Sequence, residues 1–287
     1  MSQTKPTRFF FGHHRCATSW IDDVFRAVSR ELGLRYVTVH HPRQFGHDLA
    51  RFIRDQAVEC VAFVNADYGY VRGLENLRGF HVIRDPRDVS VSAYFSHLYS
   101  HRVDAEWPEL QERRERLQRL DKERGLLSEL EELRWEFERM GDWDYGRSDI
   151  LELKMEDLTG DPYRQFLRVF RFLDLVDERA LSVPRRAAYT TSRVLRAVER
   201  RIPGRLALPG RLGRLPAERV LGIVWENDFA KKADGRETGR EDPRSHYRKG
   251  MPGDWRNHFN AEHLAYFETH YGTLLRRLGY EQEDGWA

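Results

Sequence analysis

Three stretches of this chain place basic residues beside glycines or hydroxyl side chains, a combination that binds phosphate or sulfate groups. The first stretch, residues 12–20 with the sequence GHHRCATSW, follows an apolar run and precedes a helical pattern. The unpaired backbone N–H groups at a helix start, together with the helix dipole, would bind an anion there. Thr18 and Ser19 could donate their hydroxyls to that anion, or they could simply cap the helix.

The first stretch differs from the loop that binds nucleoside triphosphates. Gly12 and Ser19 match the spacing of G-x-x-x-x-G-K-[ST], but Ala17 replaces the second glycine and Thr18 replaces the lysine. The basic residue of the loop is Arg15 instead. Kinases and ATPases need the lysine on the β- and γ-phosphates, so the sequence argues against triphosphate hydrolysis. Alanine at position 17 is also expected to require a negative φ.

The second stretch, residues 79–92, predicts another anion site. A buried strand ends at Arg84, the string RDPRD turns into a helix, and Ser92 lies two turns into that helix. Arg84 and Ser92 could therefore converge on one phosphate, with the guanidinium binding as a fork. The alternative is structural: Arg84 could pair with Asp88, or Arg87 with Asp88.

The third stretch, residues 246–259 with the sequence HYRKGMPGDWRNHF, joins two adjacent cations to a glycine. Arg248, Lys249 and the free amide of Gly250 would make a nest for an anion. The alternative is a basic surface loop near the end of the sequence.

The elements that position these stretches alternate between strands and helices. Helices are predicted at 18–32 and about 44–55, and the strands are predicted at 8–12, 35–40, 60–65, 80–84 and 150–155. The strands lack polar alternation, so we expect an α/β fold with a mainly parallel central sheet flanked by helices. Ligands of such sheets bind beyond the carboxyl ends of the strands.

Two segments interrupt this pattern within what we expect to be a single domain, 1–287. Residues 102–145 are charged and leucine-rich, and predict an amphipathic helical pair with a solvated face. The position of the segment in the sequence favours a lid over the ligand site. Residues 185–219 contain ten arginines, several prolines and glycines, and only two acids. This segment is expected to be broken and mobile. It either binds an anionic acceptor or a membrane surface, or is ordinary arginine-rich surface.

The composition excludes several classes of protein. Lys+Arg 48 against Asp+Glu 46 gives a net charge of +2, so nothing demands a nucleic-acid partner. A mean hydropathy of −0.72 with no long apolar run predicts no transmembrane segment. Cys16 and Cys60 are the two cysteines, which excludes a disulfide scaffold and indicates a reducing compartment. We therefore expect a cytoplasmic protein.

Together and in order, the three stretches resemble the motifs of the sulfotransferases that use 3′-phosphoadenosine 5′-phosphosulfate (PAPS). The family loop P-K-S-G-T-T-W corresponds to HRCATSW at 14–20. The motif R-[DN]-P-[RK]-D-V-x-V-S is matched at every fixed position by 84–92, and R-K-G-x-x-G-D-W-[KR]-N-[HY]-F is matched by 248–259. A Y-E-D-L element appears as MEDL at 155–158, where Met155 replaces the family's tyrosine. The resemblance spans about residues 8–260.

The resemblance implies a donor site for PAPS, with the P-loop-like sulfotransferase fold and adenosine 3′,5′-bisphosphate as product. It assigns the 5′-phosphosulfate to the first loop, namely Arg15, Cys16, Ala17, Thr18 and Ser19. It assigns the 3′-phosphate to the other two stretches, namely Arg84, Ser92, Arg248, Lys249 and Gly250. Trp20 would stack on the adenine, and Phe229, which matches the family's T-S-F element, would lie against it.

The implied reaction is the in-line transfer of the sulfuryl group of PAPS to an acceptor hydroxyl or amine. Arg15 stands where the family has lysine, and it would act only as an electrostatic stabiliser because arginine does not give up a proton. Many relatives take their general base from a K-T-H string after the third strand, where this chain has VNADY at 64–68. Asp67 is one candidate base, although it could equally cap a turn.

His97 and His101 are rival bases, four residues apart on one helix face. They could instead line the acceptor pocket or lie on the surface, and their spacing also fits a metal pair. No third ligand is apparent and the family uses no metal, so none is predicted. His13 and His14 flank the donor loop and are expected to contact the donor.

The acceptor itself stays open among a small alcohol, a phenol, a glycan and a lipid, with the basic segment favouring an anionic or amphiphilic one. Two rival functions remain. One is a nucleoside-phosphate kinase on the same fold, and the other is a binding module that has lost its chemistry.

Overall fold

The computed structural model describes residues 5–103, 107–179, 182–199 and 213–281, and a five-stranded parallel sheet forms its centre. The strands are β1 (Thr7–Gly12), β2 (Tyr36–Val39), β3 (Cys60–Phe63), β4 (Leu77–Ile83) and β5 (Ile150–Lys154). Their order across the sheet is β2-β3-β1-β4-β5. Two short strands, β6 (Val176–Asp177) and β7 (Leu215–Pro216), pair separately. The predicted α/β fold is confirmed.

Helices cover both faces of the central sheet and form the insertions. In chain order they are α1 (Thr18–Leu32), α2 (Leu49–Asp55), α3 (Pro86–Phe95), α4 (Glu109–Arg119), α5 (Lys122–Glu132), α6 (Arg134–Asp142), α7 (Met155–Gly160), α8 (Pro162–Phe172), α9 (Val183–Glu199), α10 (Ala217–Glu226), α11 (Phe229–Lys232) and α12 (Ala261–Arg277). No helix of the described ranges is long and apolar enough to span a bilayer.

The predicted helix at 44–55 is wrong over its first five residues. A 3₁₀ turn occupies Pro42–Phe45, and the chain then turns through Gly46 and His47, which have φ of 61° and 60°. Two consecutive left-handed residues cannot continue a right-handed helix. The helix therefore begins at Leu49, where the Asp48 carboxylate accepts the Arg51 N–H.

The three phenylalanines of β1 pack into the hydrophobic cores on both faces of the sheet. Side chains alternate along a strand, so Phe10 points to one face and Phe9 and Phe11 point to the other. The Phe10 ring lies 5.0 Å from Phe80, in the layer under α1 and α8, whereas Phe11 lies 5.2 Å from Trp143. All five side chains are at most 1% exposed, so the central strand is fixed from both sides.

The charged insertion at 102–145 forms three helices in its described part, instead of the predicted pair. The Asp121 carboxylate accepts the Arg124 N–H and starts α5, and α6 follows directly after Leu133. Leu110 is buried, and the other buried leucines belong to clusters formed with α3 and α12; they are Leu117, Leu126, Leu130 and Leu133. The predicted amphipathic character is confirmed.

The basic segment at 185–219 falls largely outside the described residues. Residues 185–199 continue α9 without a break, which corrects the prediction for that part. Residues 200–212, which contain Pro203 and Pro209, are not described. The described remainder forms β7 and the start of α10.

Candidate functional site

A cavity of about 1000 Å³ opens at the carboxyl ends of the strands and brings the three stretches together. The first stretch contributes residues 14–20 without Cys16, the second contributes Arg84 and Ser92, and the third contributes residues 246–251. Asn65 after β3 and Thr38 near the end of β2 also line the cavity. Its position is the one expected for a ligand site of a parallel α/β sheet.

The start of α1 faces this cavity without a side-chain cap. Ala17 is the N-cap residue, no side chain accepts a hydrogen bond from the first turn, and the first turn contains no acid. Thr18 and Ser19 are already helical, so the alternative that they cap the helix is wrong. Backbone donors and the positive end of a 15-residue helix are thus left for an anion.

The loop before α1 is strained at two residues that are not glycine. Arg15 and Ala17 have φ of 62° and 57°, so the expected negative φ at position 17 is wrong. The left-handed region costs a residue with a Cβ roughly 1–2 kcal/mol. The buried Cys16 side chain lies between them, packs with Ile83 and Val89, and does not line the cavity. Burial of Cys16 anchors the loop, and such strain is typical of functional sites.

Arg15 and Arg84 carry positive charge that the described protein does not neutralise. Arg15 Nε donates to Ser92 Oγ at 3.0 Å, its Nη2 donates to the His246 carbonyl at 3.3 Å, and Arg84 Nη1 donates to the Arg15 carbonyl at 3.1 Å. Neither guanidinium has a carboxylate within ion-pair distance among the described residues. Burial, followed by the charges of Arg84 and Arg248, lowers the pKa of Arg15 to about 10.

The structural alternatives for the second stretch are wrong. Arg87 Nη2 pairs with Asp85 at 2.7 Å, and Arg87 also pairs with Glu281. Asp88 instead accepts the backbone N–H groups of Gly253 and Trp255, at 2.6 and 2.9 Å. The second stretch thereby holds the third one in place.

The cations of the third stretch are balanced by an acid of the same stretch. Asp254 Oδ2 lies 2.6 Å from Arg248 Nη2, and Oδ1 pairs with Lys249 Nζ. Burial opposes ionisation of Asp254, but hydrogen bonds from His258, Lys249 and other neighbours hold its pKa well below the usual range. Arg248 also pairs with Glu241 at 2.6 Å. The alternative of an ordinary surface loop is wrong for Arg248, which is 6% exposed.

Gly250 fits this stretch for two reasons. Its φ is 69°, and a Cβ at this position would lie 2.6 Å from the Phe229 ring. Phe229 begins α11 and lines the cavity beside Gly250. Gly250 and Phe229, both predicted to bind the nucleotide, therefore lie side by side in the cavity wall.

Trp20 and Met155 line the cavity and pack against the hydrophobic core beneath it. Trp20 packs edge-to-face against Phe166, with ring centroids 5.2 Å apart. Its Nε1 is buried and has no hydrogen-bond partner among the described residues. The indole is therefore available to a ligand of the cavity as an aromatic surface.

A buried hydrogen-bonded chain joins the first loop to the insertion. His14 Nε2 lies 3.0 Å from His97 Nε2, and His97 Nδ1 lies 2.9 Å from Glu129 Oε2. Arg113 donates two hydrogen bonds to Glu129, at 2.8 and 2.7 Å. His14, His101 and Arg113 line the cavity, whereas His97 is fully buried behind His14. His97 lies in a π-helical turn, Ser96–Ser100, which continues α3.

The candidate base Asp67 lies apart from this arrangement. Its carboxylate accepts the Gly69 N–H at 2.8 Å and starts the 3₁₀ turn Tyr68–Tyr70, and Oδ2 lies 3.9 Å from Arg139. Asp67 does not line the cavity. The structure therefore favours the turn-capping alternative.

His13 belongs to a second buried chain, and the expectation that it contacts the donor is wrong. It is fully buried between Glu136, at 3.1 Å, and His81, at 2.8 Å. His81 Nδ1 lies 2.6 Å from Glu152, which also accepts from Trp143. Burial raises the pKa of Glu152 to about 8. This chain is a polar core under the loop rather than part of the cavity wall.

Sequence reasoning missed four residues of the site and its support: Arg113, Glu129, Glu136 and His246. Arg113 and Glu129 belong to a charged insertion in which nothing distinguishes them from exposed neighbours. Glu136 is buried and accepts the His14 N–H at 2.7 Å. His246 is the first residue of the third stretch and lies two residues before Arg248, a signal that could have found it.

Comparisons with known proteins identify the fold. Mouse sulfotransferase SULT7A1 complexed with PAP matches with a TM-score of 0.57 and 13% identity, over 95% of this chain and 85% of that chain. Retinol dehydratase in complex with androsterone and inactive cofactor PAP matches with a TM-score of 0.49 and 17% identity, over 99% and 83%. No protein-family model matches the sequence, nor does any curated protein. This chain has the sulfotransferase fold, as the motifs predict.

Proposed function

We propose that this chain is a sulfotransferase that moves a sulfuryl group from PAPS to an acceptor hydroxyl or amine. The observation that carries the proposal is the pair of guanidiniums of half-buried Arg15 and buried Arg84, neither of which has a carboxylate within ion-pair distance among the described residues. A buried charge costs free energy unless a counter-charge joins it. The site is therefore suited to an anionic ligand, and the motifs and fold favour PAPS.

The residues fit a ligand that carries anionic groups at two ends. Arg15 and the uncapped N–H groups of α1 would hold the 5′-phosphosulfate. Arg84 and Ser92, with Arg248, Lys249 and Gly250 of the third stretch, would hold the 3′-phosphate. Asp254 takes up much of the charge of Arg248 and Lys249, so Arg84 is the 3′-phosphate contact with the most charge to offer.

Aromatic side chains of the cavity wall fit a purine. Trp20 and Phe229 both line the cavity and provide aromatic faces on which the adenine could stack. Met155 replaces the family's tyrosine and also lines the cavity, so an apolar contact takes the place of a hydroxyl.

The chain's own residues would catalyse the transfer by charge and position. When bound, PAPS supplies the activated sulfuryl group. Arg15 stabilises the negative charge that develops on the leaving phosphate oxygen, since its guanidinium stays protonated near neutral pH even with a pKa of about 10. The first-turn N–H groups of α1 add to that stabilisation without having to reorganise.

Nucleotide selectivity separates this function from a kinase on the same fold. A thermal-shift comparison should show stabilisation by adenosine 3′,5′-bisphosphate that exceeds that by 5′-AMP or ATP. When the free nucleotide is present at about a hundred times its dissociation constant, the free energy of unfolding rises by about 2.7 kcal/mol. Arg84→Gln should reduce the gain, and the control Arg51→Ala, an exposed arginine of α2, should retain it. An equal or larger response to ATP with Mg²⁺ would favour the kinase.

Transfer itself separates an enzyme from an inactive binding module. The protein is incubated with [³⁵S]PAPS and a panel of alcohols, phenols, glycans and lipids, and labelled product is measured. A binding module would bind adenosine 3′,5′-bisphosphate yet label none of them. The acceptor class, a cytoplasmic location, and contact of the 185–219 segment with a membrane stay predictions.

A further inference from the structure

His14 lies in the cavity wall beside Arg15, the residue that would stabilise the leaving oxygen. It directly precedes Arg15 in the loop between β1 and α1, where the sulfotransferase motif has proline, and it lines the cavity. Its ring lies 5.7 Å from the His101 ring and 5.9 Å from the Trp107 ring, measured between centroids. The backbone N–H of His14 donates to Glu136, so the residue is fixed at both main chain and side chain.

The contacts of His97 determine which nitrogen of His14 carries the proton. Arg113 donates two hydrogen bonds to Glu129, so Glu129 is an acceptor and His97 Nδ1 must donate to it. A neutral His97 then has its lone pair on Nε2 and accepts the N–H of His14 Nε2. A neutral His14 of this tautomer has its lone pair on Nδ1. That nitrogen has no hydrogen-bond partner among the described residues.

The surroundings keep both imidazoles neutral. Burial, followed by the charges of His97, Arg15, His101 and Arg113, lowers the pKa of His14 well below its usual value. Burial, Arg113 and other nearby cations do the same for His97. A general base must be unprotonated before it acts, and both histidines satisfy that condition near pH 7.

We propose that His14 is the general base of the transfer, and that His97, Glu129 and Arg113 are positioning residues that hold its Nδ1 free to accept a proton. The inference rests on the proposed function. The acceptor oxygen forms a bond to sulfur as the bond between sulfur and the bridging oxygen of PAPS breaks. The acceptor proton moves to His14 Nδ1, and the leaving electron pair stays on the 5′-phosphate beside Arg15. His14 then releases the proton to water.

This assignment also gives the insertion a role in the reaction. Arg113 lies on α4 and Glu129 on α5, both within the segment 102–145. The carboxylate orients one histidine, which orients the next, in the way that a buried aspartate orients the histidine of a serine protease. When His14 is protonated, Glu129 lies one imidazole away and stabilises the charge.

Kinetics on matched variants tests the role of His14. His14→Gln should lower kcat by about 10²- to 10⁴-fold with the acceptor that serves the wild type best, while the affinity for adenosine 3′,5′-bisphosphate is unchanged. Added imidazole should restore part of the activity to His14→Ala. His270→Gln, an exposed histidine of α12, is the control and should behave as wild type. Turnover at the wild-type rate by His14→Gln, or loss confined to His101→Gln, would overturn the assignment.

Nitrogen NMR of the whole protein tests the tautomer without any reaction. With ¹⁵N-labelled histidine, the His14 signals are assigned by their loss in His14→Gln, and Nδ1 should show the shift of an unprotonated nitrogen at pH 7. A protonated Nδ1 would refute the proposal even if the enzyme transfers sulfate. A wild type that transfers sulfate to no acceptor would refute the proposed function and the base together.

Discussion

Arg84 Nη1 donates a hydrogen bond to the backbone carbonyl of Arg15 across 3.1 Å, and this contact ties the end of β4 to the loop after β1. The two guanidiniums approach each other although like charges repel, and burial strengthens that repulsion. Arg84 is 6% exposed, so water screens it poorly. Two hydrogen bonds offset this repulsion. Arg84 donates one to the loop carbonyl, and Arg15 donates the other to Ser92 Oγ.

Replacing Arg15 should separate catalysis from binding. Arg15→Ala removes the cation at the leaving oxygen, and we expect kcat with PAPS to fall by about 10²-fold or more. Binding of adenosine 3′,5′-bisphosphate should weaken far less, because the loop N–H groups and Arg84 remain. Steady-state kinetics and calorimetric titration measure the two effects. Wild-type turnover by Arg15→Ala would show that Arg15 has a different role.

Arg84→Gln should mainly weaken nucleotide binding, whereas Arg15→Ala mainly lowers kcat. The change leaves a hydrogen-bonding side chain but removes the charge that faces the 3′-phosphate. A charge-assisted hydrogen bond contributes about 1.5–3 kcal/mol, so affinity for adenosine 3′,5′-bisphosphate should fall by roughly 10- to 100-fold. Affinity for 5′-AMP, which lacks the 3′-phosphate, should change much less. Equal losses for both nucleotides would place Arg84 elsewhere on the ligand.

Ala17→Gly should relieve the strained loop. Glycine adopts a φ of 57° without steric cost, so the variant should be as stable as wild type or more stable, by up to about 1 kcal/mol. Ala27→Gly lies inside α1 and serves as the control, with an expected loss of about 1 kcal/mol. Urea unfolding measures both. A comparable loss at position 17 would mean that the left-handed loop conformation is not adopted in solution.

Gly250→Ala should damage the wall of the cavity. The new Cβ would meet the Phe229 ring at 2.6 Å, and the φ of 69° disfavours any side chain. We expect weaker binding of adenosine 3′,5′-bisphosphate together with lower stability. Gly73→Ala, where a Cβ meets no atom within 4 Å, is the control. Unchanged binding by Gly250→Ala would show that this backbone does not approach the nucleotide.

The buried His97 should make stability depend on pH. Its folded-state pKa is lowered by burial first, whereas the unfolded chain binds a proton near pH 6.5. The unfolded state therefore binds more protons below pH 6.5, and the contribution of His97 to stability is lost as the pH falls through that value. His97→Gln should lose less stability than wild type between pH 7.5 and 5, measured by urea unfolding. A loss in His97→Gln equal to that of wild type would mean that His97 is protonated in the fold.

Local patterns were sufficient to predict the sheet and to single out the three stretches that line the cavity. The apolar run at β1 and the strand that ends at Arg84 are visible in single segments of sequence, and their meeting at one sheet edge follows from parallel topology. The chain from His14 through His97 to Glu129 was not predictable, because His97 is 83 positions from His14 and 32 positions from Glu129. The sequence offers several acids as ion-pair partners of Arg87, and only the packing of the fold decides among them.

A structure of the protein bound to adenosine 3′,5′-bisphosphate would show directly which residues hold the nucleotide. We expect the 3′-phosphate within hydrogen-bond distance of Arg84 and Ser92, the 5′-phosphate at the start of α1 beside Arg15, and the adenine between Trp20 and Phe229. A nucleotide bound outside this cavity, or one whose 3′-phosphate points away from Arg84, would contradict this expectation.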